Sequence, residues 1–515
     1  MKRNKIFLFA LAMAGIFSSC SDWLDVNESP NAAQYSEIPP NLTLSAAQTM
    51  TFRSITGDNQ NFETSVRTEN FNQLGNIMMN SWAGNVNSVT NPYNEEYRSL
   101  ITSSFYGKAW DWTYRNVANF QKITEYSSQD FDNHKGIAKI LKSFYMQYMV
   151  DLYGDVPYSE AFKGQANLYP TYDDDKEVYK GLLNELNEGI ALIEGADAND
   201  ETVGTEDAML NGDMDEWIRF ANTVKLRILV RESAVTDADV VAFRNQELAA
   251  LAGAEFITRD ITINPGYRAA SATTQNPFYG AYGYNVAGAA TGTRNLVTAS
   301  AHAANALNLT NDPRRGRLFT LVAGNVVGIE QGEEAQSAPD NPSLLGPAFI
   351  PVPVSGNASV GSSMNGYVMT LSEAKFVMAE ATLRFPGQFT GYVAETLFNE
   401  GIQSSFTRLG ATGYSAYMTS IAATPGYGWG ATTNKIEAIM TQKWIALMNV
   451  HAVESWIDYT RTGFPVTPLA LTNAGTGKPK RLMYPASEYI GNGANVPAQT
   501  SATVFATGPF WLVQP

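Results

Sequence analysis

Apolar residues recur at intervals of three and four along several stretches of the chain. The clearest run is Ile137, Ile140, Leu141, Phe144, Tyr148 and Leu152, a spacing that lays one apolar stripe along a helix. Gly154 ends that helix, because glycine accepts the backbone conformation that helix C-termini require, and Pro157 cannot resume it. Tyr106, Trp110, Tyr114, Val117 and Phe120 predict a helix before it; Val178, Leu182, Leu186, Ile190 and Ile193 predict one after it, capped by Asp174 or Asp175. Three successive amphipathic helices with short links imply antiparallel helix pairs. The same period returns at Trp217, Phe220, Val224 and Ile228, over residues 299–309, and at Ile436, Met440, Trp444 and Leu447. Thr370 and Glu373 form a capping box in front of Leu371, Ala374, Val377, Met378 and Ala381, which face inward.

Other stretches break the period. Phe256, Ile257, Ile261 and Ile263 read as a short strand, and residues 324–365, rich in Gly, Pro and Ser, read as loops with small strands. Two segments hold aromatics among Gly, Asn and Pro: residues 82–97, with Trp82 and Tyr93, and residues 267–285, with Tyr267, Phe278, Tyr279, Tyr282 and Tyr284. Rings off any helical period, on turn-rich backbone, are expected at the surface, where they can stack on a ligand.

Composition narrows the class. Hydrophobic residues at 44% and aromatics at 11% exclude a disordered chain. A net charge of −15 repels nucleic acid and anionic lipid head groups, so neither is an expected partner. Lys2, Arg3 and Lys5 precede an apolar run, residues 6–17, too short to span a bilayer; it reads as an export signal over residues 1–19. Ser18 and Ser19 then precede Cys20, the one cysteine of the chain. This resembles a lipobox, with Phe17 where leucine is usual, and predicts lipidation of Cys20; several acyl chains would anchor the chain to a membrane. Residues 20–41, polar and holding three prolines, read as a lipidated tether, and residues 42–515 as a single body, with a helical scaffold to about 310 and a looser part beyond.

The segment LYGDVPYSEAF at residues 152–162 resembles the most recognisable segment of the SusD/RagB family of surface nutrient-binding lipoproteins of Bacteroidetes. Four further segments agree in order and spacing: GDMDEWIRFANTVKLRILVRE from Gly212, the DPR string at Asp312, LSEAKFVMAEA from Leu371, and residues 435–465 followed by RLMYP at Arg481. The form of the second and fifth resembles a divergent branch. The resemblance implies a mainly α fold with tetratricopeptide-like helix pairs, although no 34-residue repeat is visible. It also implies delivery of oligosaccharide to a SusC-like TonB-dependent outer-membrane transporter, with a peptide ligand of the RagB kind, or a surface glycoside hydrolase, as alternatives. Tyr153, Asp155, Pro157 and Tyr158 are expected to be structural.

Catalytic constellations are not evident. His134, His302 and His451 are isolated, no HExxH or paired-cysteine pattern occurs, and GTGKP at Gly475 lacks most of a phosphate loop. Asp173, Asp174 and Asp175 suit a helix N-terminus. Neither an enzyme nor a metal or other cofactor is expected, and the ligand-binding residues are expected to be Trp82, Tyr93, Tyr267, Phe278, Tyr279, Tyr282 and Tyr284.

Overall fold

The computed structural model describes residues 38–57 and 69–512. The export signal, Cys20 and nearly all of the tether lie outside them.

The polypeptide is mainly helical. The first helix, α1 (Pro40–Thr56), starts two residues earlier than the expected body. It is followed by α2 (Phe71–Met78), strand β1 (Trp82–Gly84), α3 (Gly107–Thr124), α4 (Asp132–Tyr153), α5 (Asp175–Gly195), α6 (Met214–Arg231) and α7 (Ala238–Ala250). The next elements are β2 (Ile261–Ile263), α8 (Pro277–Tyr282), β3 (Val297–Ala299), α9 (Ala301–Leu309) and β4 (Gly366–Met369). The chain then forms α10 (Leu371–Arg384), α11 (Ala394–Leu409), α12 (Tyr414–Ile421), α13 (Lys435–Leu447) and α14 (Ala452–Thr462). The strands pair antiparallel in twos, Trp82 opposite Ala299 and Ile261 opposite Met369. The strand expected from Phe256 is thus only its last three residues.

The predicted helix pairs form: α4 packs along α3 on one side and α5 on the other, and α5 along α6. Glycines set the closest approach of α4 to α5, since a Cβ on Gly136 would lie 2.7 Å from the Gly189 carbonyl oxygen and one on Gly189 2.9 Å from that of Gly136. Helix α4 has more than the expected apolar stripe; from Ile140 to its end every residue is buried, including Gln147 and Asp151. Helices α1 and α6 also lie against α4, α14 lies against α2, and one continuous core runs from Leu44 to Trp511.

Charges line the seam where α4, α6, α10 and α14 meet. Arg227 on α6 pairs with Glu373 and Glu454, each at 3.0 Å, and donates to Gln147 and Tyr148. His451 sits between the Tyr148 hydroxyl at 2.8 Å and the Glu373 carboxylate at 3.2 Å. A carboxylate can only accept, which places the imidazole proton on Nδ1. Glu373 therefore does not complete the expected capping box. Thr370 Oγ1 accepts the Glu373 N–H at 3.1 Å, but the Glu373 side chain is spent on Arg227 and His451.

The turn after α4 is a clasp. Gly154, at φ +84°, ends the helix as expected, and the Asp155 carboxylate accepts the N–H of Asp175 at the start of α5. Tyr114 donates to the Pro157 carbonyl, Tyr158 to Glu185, and Tyr484 to the Asp155 carbonyl. The Leu482 N–H bonds the Leu152 carbonyl. The C-terminal RLMYP segment is thereby tied to the LYGDVPY turn.

Candidate binding site on the loop face

At the end of the body where β1 pairs with β3, the predicted aromatic stretches do meet, but as core. Asn276 accepts the Tyr279 N–H and Pro277 opens α8, so backbone expected to be loop is a short capped helix. Its Phe278 and Tyr282 pack on Trp82, ring centroids 6.4 and 5.3 Å away, and Trp82 Nε1 donates to Asn449 Oδ1. Tyr93 sits edge-on to Tyr97; burial pushes its hydroxyl far above its usual value, with Tyr282 the next contributor. Tyr267 lies apart; burial raises its hydroxyl, and Arg53 of α1 opposes the shift.

The expectation that these rings lie at the surface is therefore corrected. Trp82, Tyr93, Tyr267, Phe278, Tyr279 and Tyr282 are buried, Trp82 completely, because strand pairing and the α8 turn draw them under the loops. Of the six, only Tyr279 lines the hollow of the loop face. Tyr284 alone of the seven is partly exposed.

Three loops cover this knot. Residues 85–91 are joined to 295–296 through Asn85, which donates to the Asn295 carbonyl and whose N–H bonds the Leu296 carbonyl. Residues 285–290 abut 353–357, where a Cβ on Gly288 would lie 2.4 Å from the Gly356 carbonyl oxygen. Between α8 and residues 351–361 opens a hollow of about 460 Å³, floored by Tyr279 and rimmed by Pro351, Val352, Val354, Asn357 and Val360. Val352, Val354 and Val360 are well exposed. The Tyr279 hydroxyl donates to the Pro351 carbonyl and is pushed up to about 12 by burial, with Tyr284 adding and Arg294 opposing. Tyr284 lies 6.0 Å from Tyr279, and the Arg294 guanidinium 5.9 Å from the Tyr284 ring. An aromatic ring beside apolar loop residues and hydrogen-bonding groups suits a sugar, whose C–H faces stack and whose hydroxyl rims bond.

A larger hollow, about 810 Å³, lies among α6, α10 and α11. Most of its charged groups are engaged: Arg219 with Glu255, Lys375 with Glu400, Arg259 with Asp213, Asp260 with the Leu371 N–H, and Arg408 through Nη2 with the Ala446 carbonyl, its Nε lacking an acceptor. Among the described residues one acidic group, Asp155, Asp174 and Asp175, has the spacing of a metal site. Its carboxylates accept backbone N–H bonds from Asp175, Lys176 and Phe510, as a helix cap does.

Sequence reasoning missed Arg294 and the 351–361 loop. One signal was there: residues 261–311 contain no acid, in a chain with 50 Asp and Glu, and Arg268 and Arg294 are the charged residues of that stretch.

The architecture is that of solved SusD homologues. A chitin-binding SusD homologue from Flavobacterium johnsoniae is 23% identical, with a TM-score of 0.71 over 92% of this chain and 99% of its own. A SusD homologue from Bacteroides uniformis is 23% identical, with a TM-score of 0.68 over 93% of this chain and 100% of its own. A SusD/RagB family protein from Bacteroides thetaiotaomicron is 18% identical, with a TM-score of 0.68 over 92% and 99%. At these identities the likeness is one of fold. The chain belongs to the SusD-like family: the family model described as starch-binding and associating with the outer membrane matches residues 40–485. No curated relative matches by sequence.

Proposed function

We propose that this protein is a lipid-anchored, surface-exposed capture protein that binds oligosaccharide at the loop face and passes it to a SusC-like TonB-dependent transporter, without breaking a bond. The observation that carries the reading is the half-buried Tyr284 beside the Tyr279-floored hollow, on a chain whose family is described as starch-binding. The structural likeness to a chitin-binding SusD homologue supports a glycan over a peptide. No helix among the described residues is long and apolar enough to cross a membrane, so the reading places attachment on acylated Cys20.

Two measurements test it. A glycan array followed by titration calorimetry is expected to find an oligosaccharide whose affinity falls by about 1–2 kcal/mol in Tyr284→Ala through lost stacking, with unfolding unchanged. Binding of peptides from a library and of no glycan on the array would move the ligand to the other class. For the anchor, Cys20→Ala is expected to abolish labelling by palmitate and release the protein from membrane fractions. Undiminished label in the variant would refute lipidation at this residue.

A further inference from the structure

Five arginines are buried among the described residues: Arg227, Arg231, Arg244, Arg294 and Arg314. Four have partners. Arg227 and Arg231 pair with buried carboxylates, Arg314 with Asp312, and Arg244 donates to the Glu232 and Val235 carbonyls. Arg294 is 5% exposed, its side chain forms no hydrogen bond or ion pair among the described residues, and its Nε and Nη1 are sealed from solvent without an acceptor. Its guanidinium lies instead over the face of the Tyr284 ring. A guanidinium held out of water with nothing to bond is costly, and proteins retain such a group where something else completes it.

The surrounding sequence has removed every acid that could do so from within. Residues 85–94, 261–311 and 341–372, which supply the loops of this face, contain no Asp or Glu. On a chain of net charge −15 they form a window free of negative charge, with Arg268 and Arg294 as its cations. An anion is repelled over most of the molecule and least here. A guanidinium N–H donates a charge-assisted hydrogen bond to a carboxylate or a sulfate oxygen, and Nη2 is the nitrogen of Arg294 left open to one.

We propose that the oligosaccharide taken by the loop face carries an anionic group, a carboxylate or a sulfate, and that Arg294 is the residue that binds it. The inference rests on the glycan reading above and narrows it to acidic glycans. Tyr284 then has two roles, as a stacking surface for the sugar and as the ring against which the guanidinium is held.

The test uses the full chain in detergent and matched pairs of oligosaccharides: uronic-acid oligomers with their carboxyl-reduced twins, and sulfated oligomers with their desulfated twins. The charged member of at least one pair is expected to bind ~10-fold or more tightly than its twin, and which pair responds separates carboxylate from sulfate. The preference is expected to shrink as salt is raised, a readout that needs no variant. Arg294→Gln is expected to bind both members like the neutral twin, Arg294→Lys to keep part of the preference, and neither to lower the unfolding midpoint, since no native hydrogen bond is removed. Equal binding within every pair, or discrimination surviving in Arg294→Gln, would overturn the inference and leave glycan binding standing. Failure to bind any oligosaccharide would overturn both.

Discussion

Arg227→Met is expected to destabilise the fold by about 3–5 kcal/mol at pH 7, the cost of leaving buried carboxylates without their cation. Arg227 is 2% exposed and holds Glu373 and Glu454, which are fully buried. Burial alone would push the Glu454 carboxyl up, but Arg227, Arg231 and Lys443 outweigh it and hold the group well below its usual value. Glu373 is lowered as well: burial and Glu454 push it up, and His451 and Arg227 bring it down. Carboxyls depressed in the folded state contribute stability that is present above the unfolded value, near 4.3, and lost as pH falls through the folded value. Removing Arg227 reverses the sign for Glu373, whose burial then raises it, so the variant gains by protonation on acidification. The deficit against the parent, read from urea unfolding midpoints, is therefore expected to be larger at pH 7 than at pH 4.5. An equal deficit at both would assign the loss to packing and not to charge.

This network also marks where sequence reading stopped. The helices were legible wherever apolar spacing and an end signal coincided, as at Ile137 to Leu152 closed by Gly154, or at α5 with Asp174 accepting the Lys176 N–H. Periodicity reports which positions are apolar and is silent on polar residues that are buried because they find one another across the chain. Lys225, Arg227 and Arg231 lie off the apolar face of α6 and are buried all the same, with partners on α7, α10, α14 and α4. Glu373 fitted a local capping rule, and a partner distant in sequence claimed its side chain. The loop face failed for the converse reason. Turn-rich backbone predicts rings in solvent, yet loops 85–91, 285–290 and 351–361 cover them, and only the long-range pairing of β1 with β3 shows that Trp82 lies beneath. The two aromatic stretches meet through Trp82, Phe278 and Tyr282, which nothing in their sequence signals, and which ring is left partly outside depends on how the 285–290 loop folds back at Ala290 over Tyr284.

Trp82→Ala is therefore expected to act on stability first, by about 3–5 kcal/mol, the usual cost of emptying a large aromatic site in a close-packed core. The indole is completely buried, contacts Phe278 and Tyr282, and donates to Asn449 Oδ1; its carbonyl accepts from Gln331. Asn449 in turn donates to the Leu318 carbonyl, so truncation removes a hydrogen bond joining β1 to the α13–α14 junction as well as ring packing. Trp82→Phe refills most of the volume but leaves Asn449 Oδ1 without its donor, and is expected to cost about 1–3 kcal/mol. If the ring were instead a stacking platform, both variants would melt like the parent and lose glycan affinity. Measured together, unfolding midpoints and titration of the folded fraction separate the two roles: a large fall in midpoint with near-parental affinity is the expected result for Trp82, and the opposite pattern is expected for Tyr284→Ala. A Trp82→Ala protein with parental stability and abolished binding would return this tryptophan to the ligand.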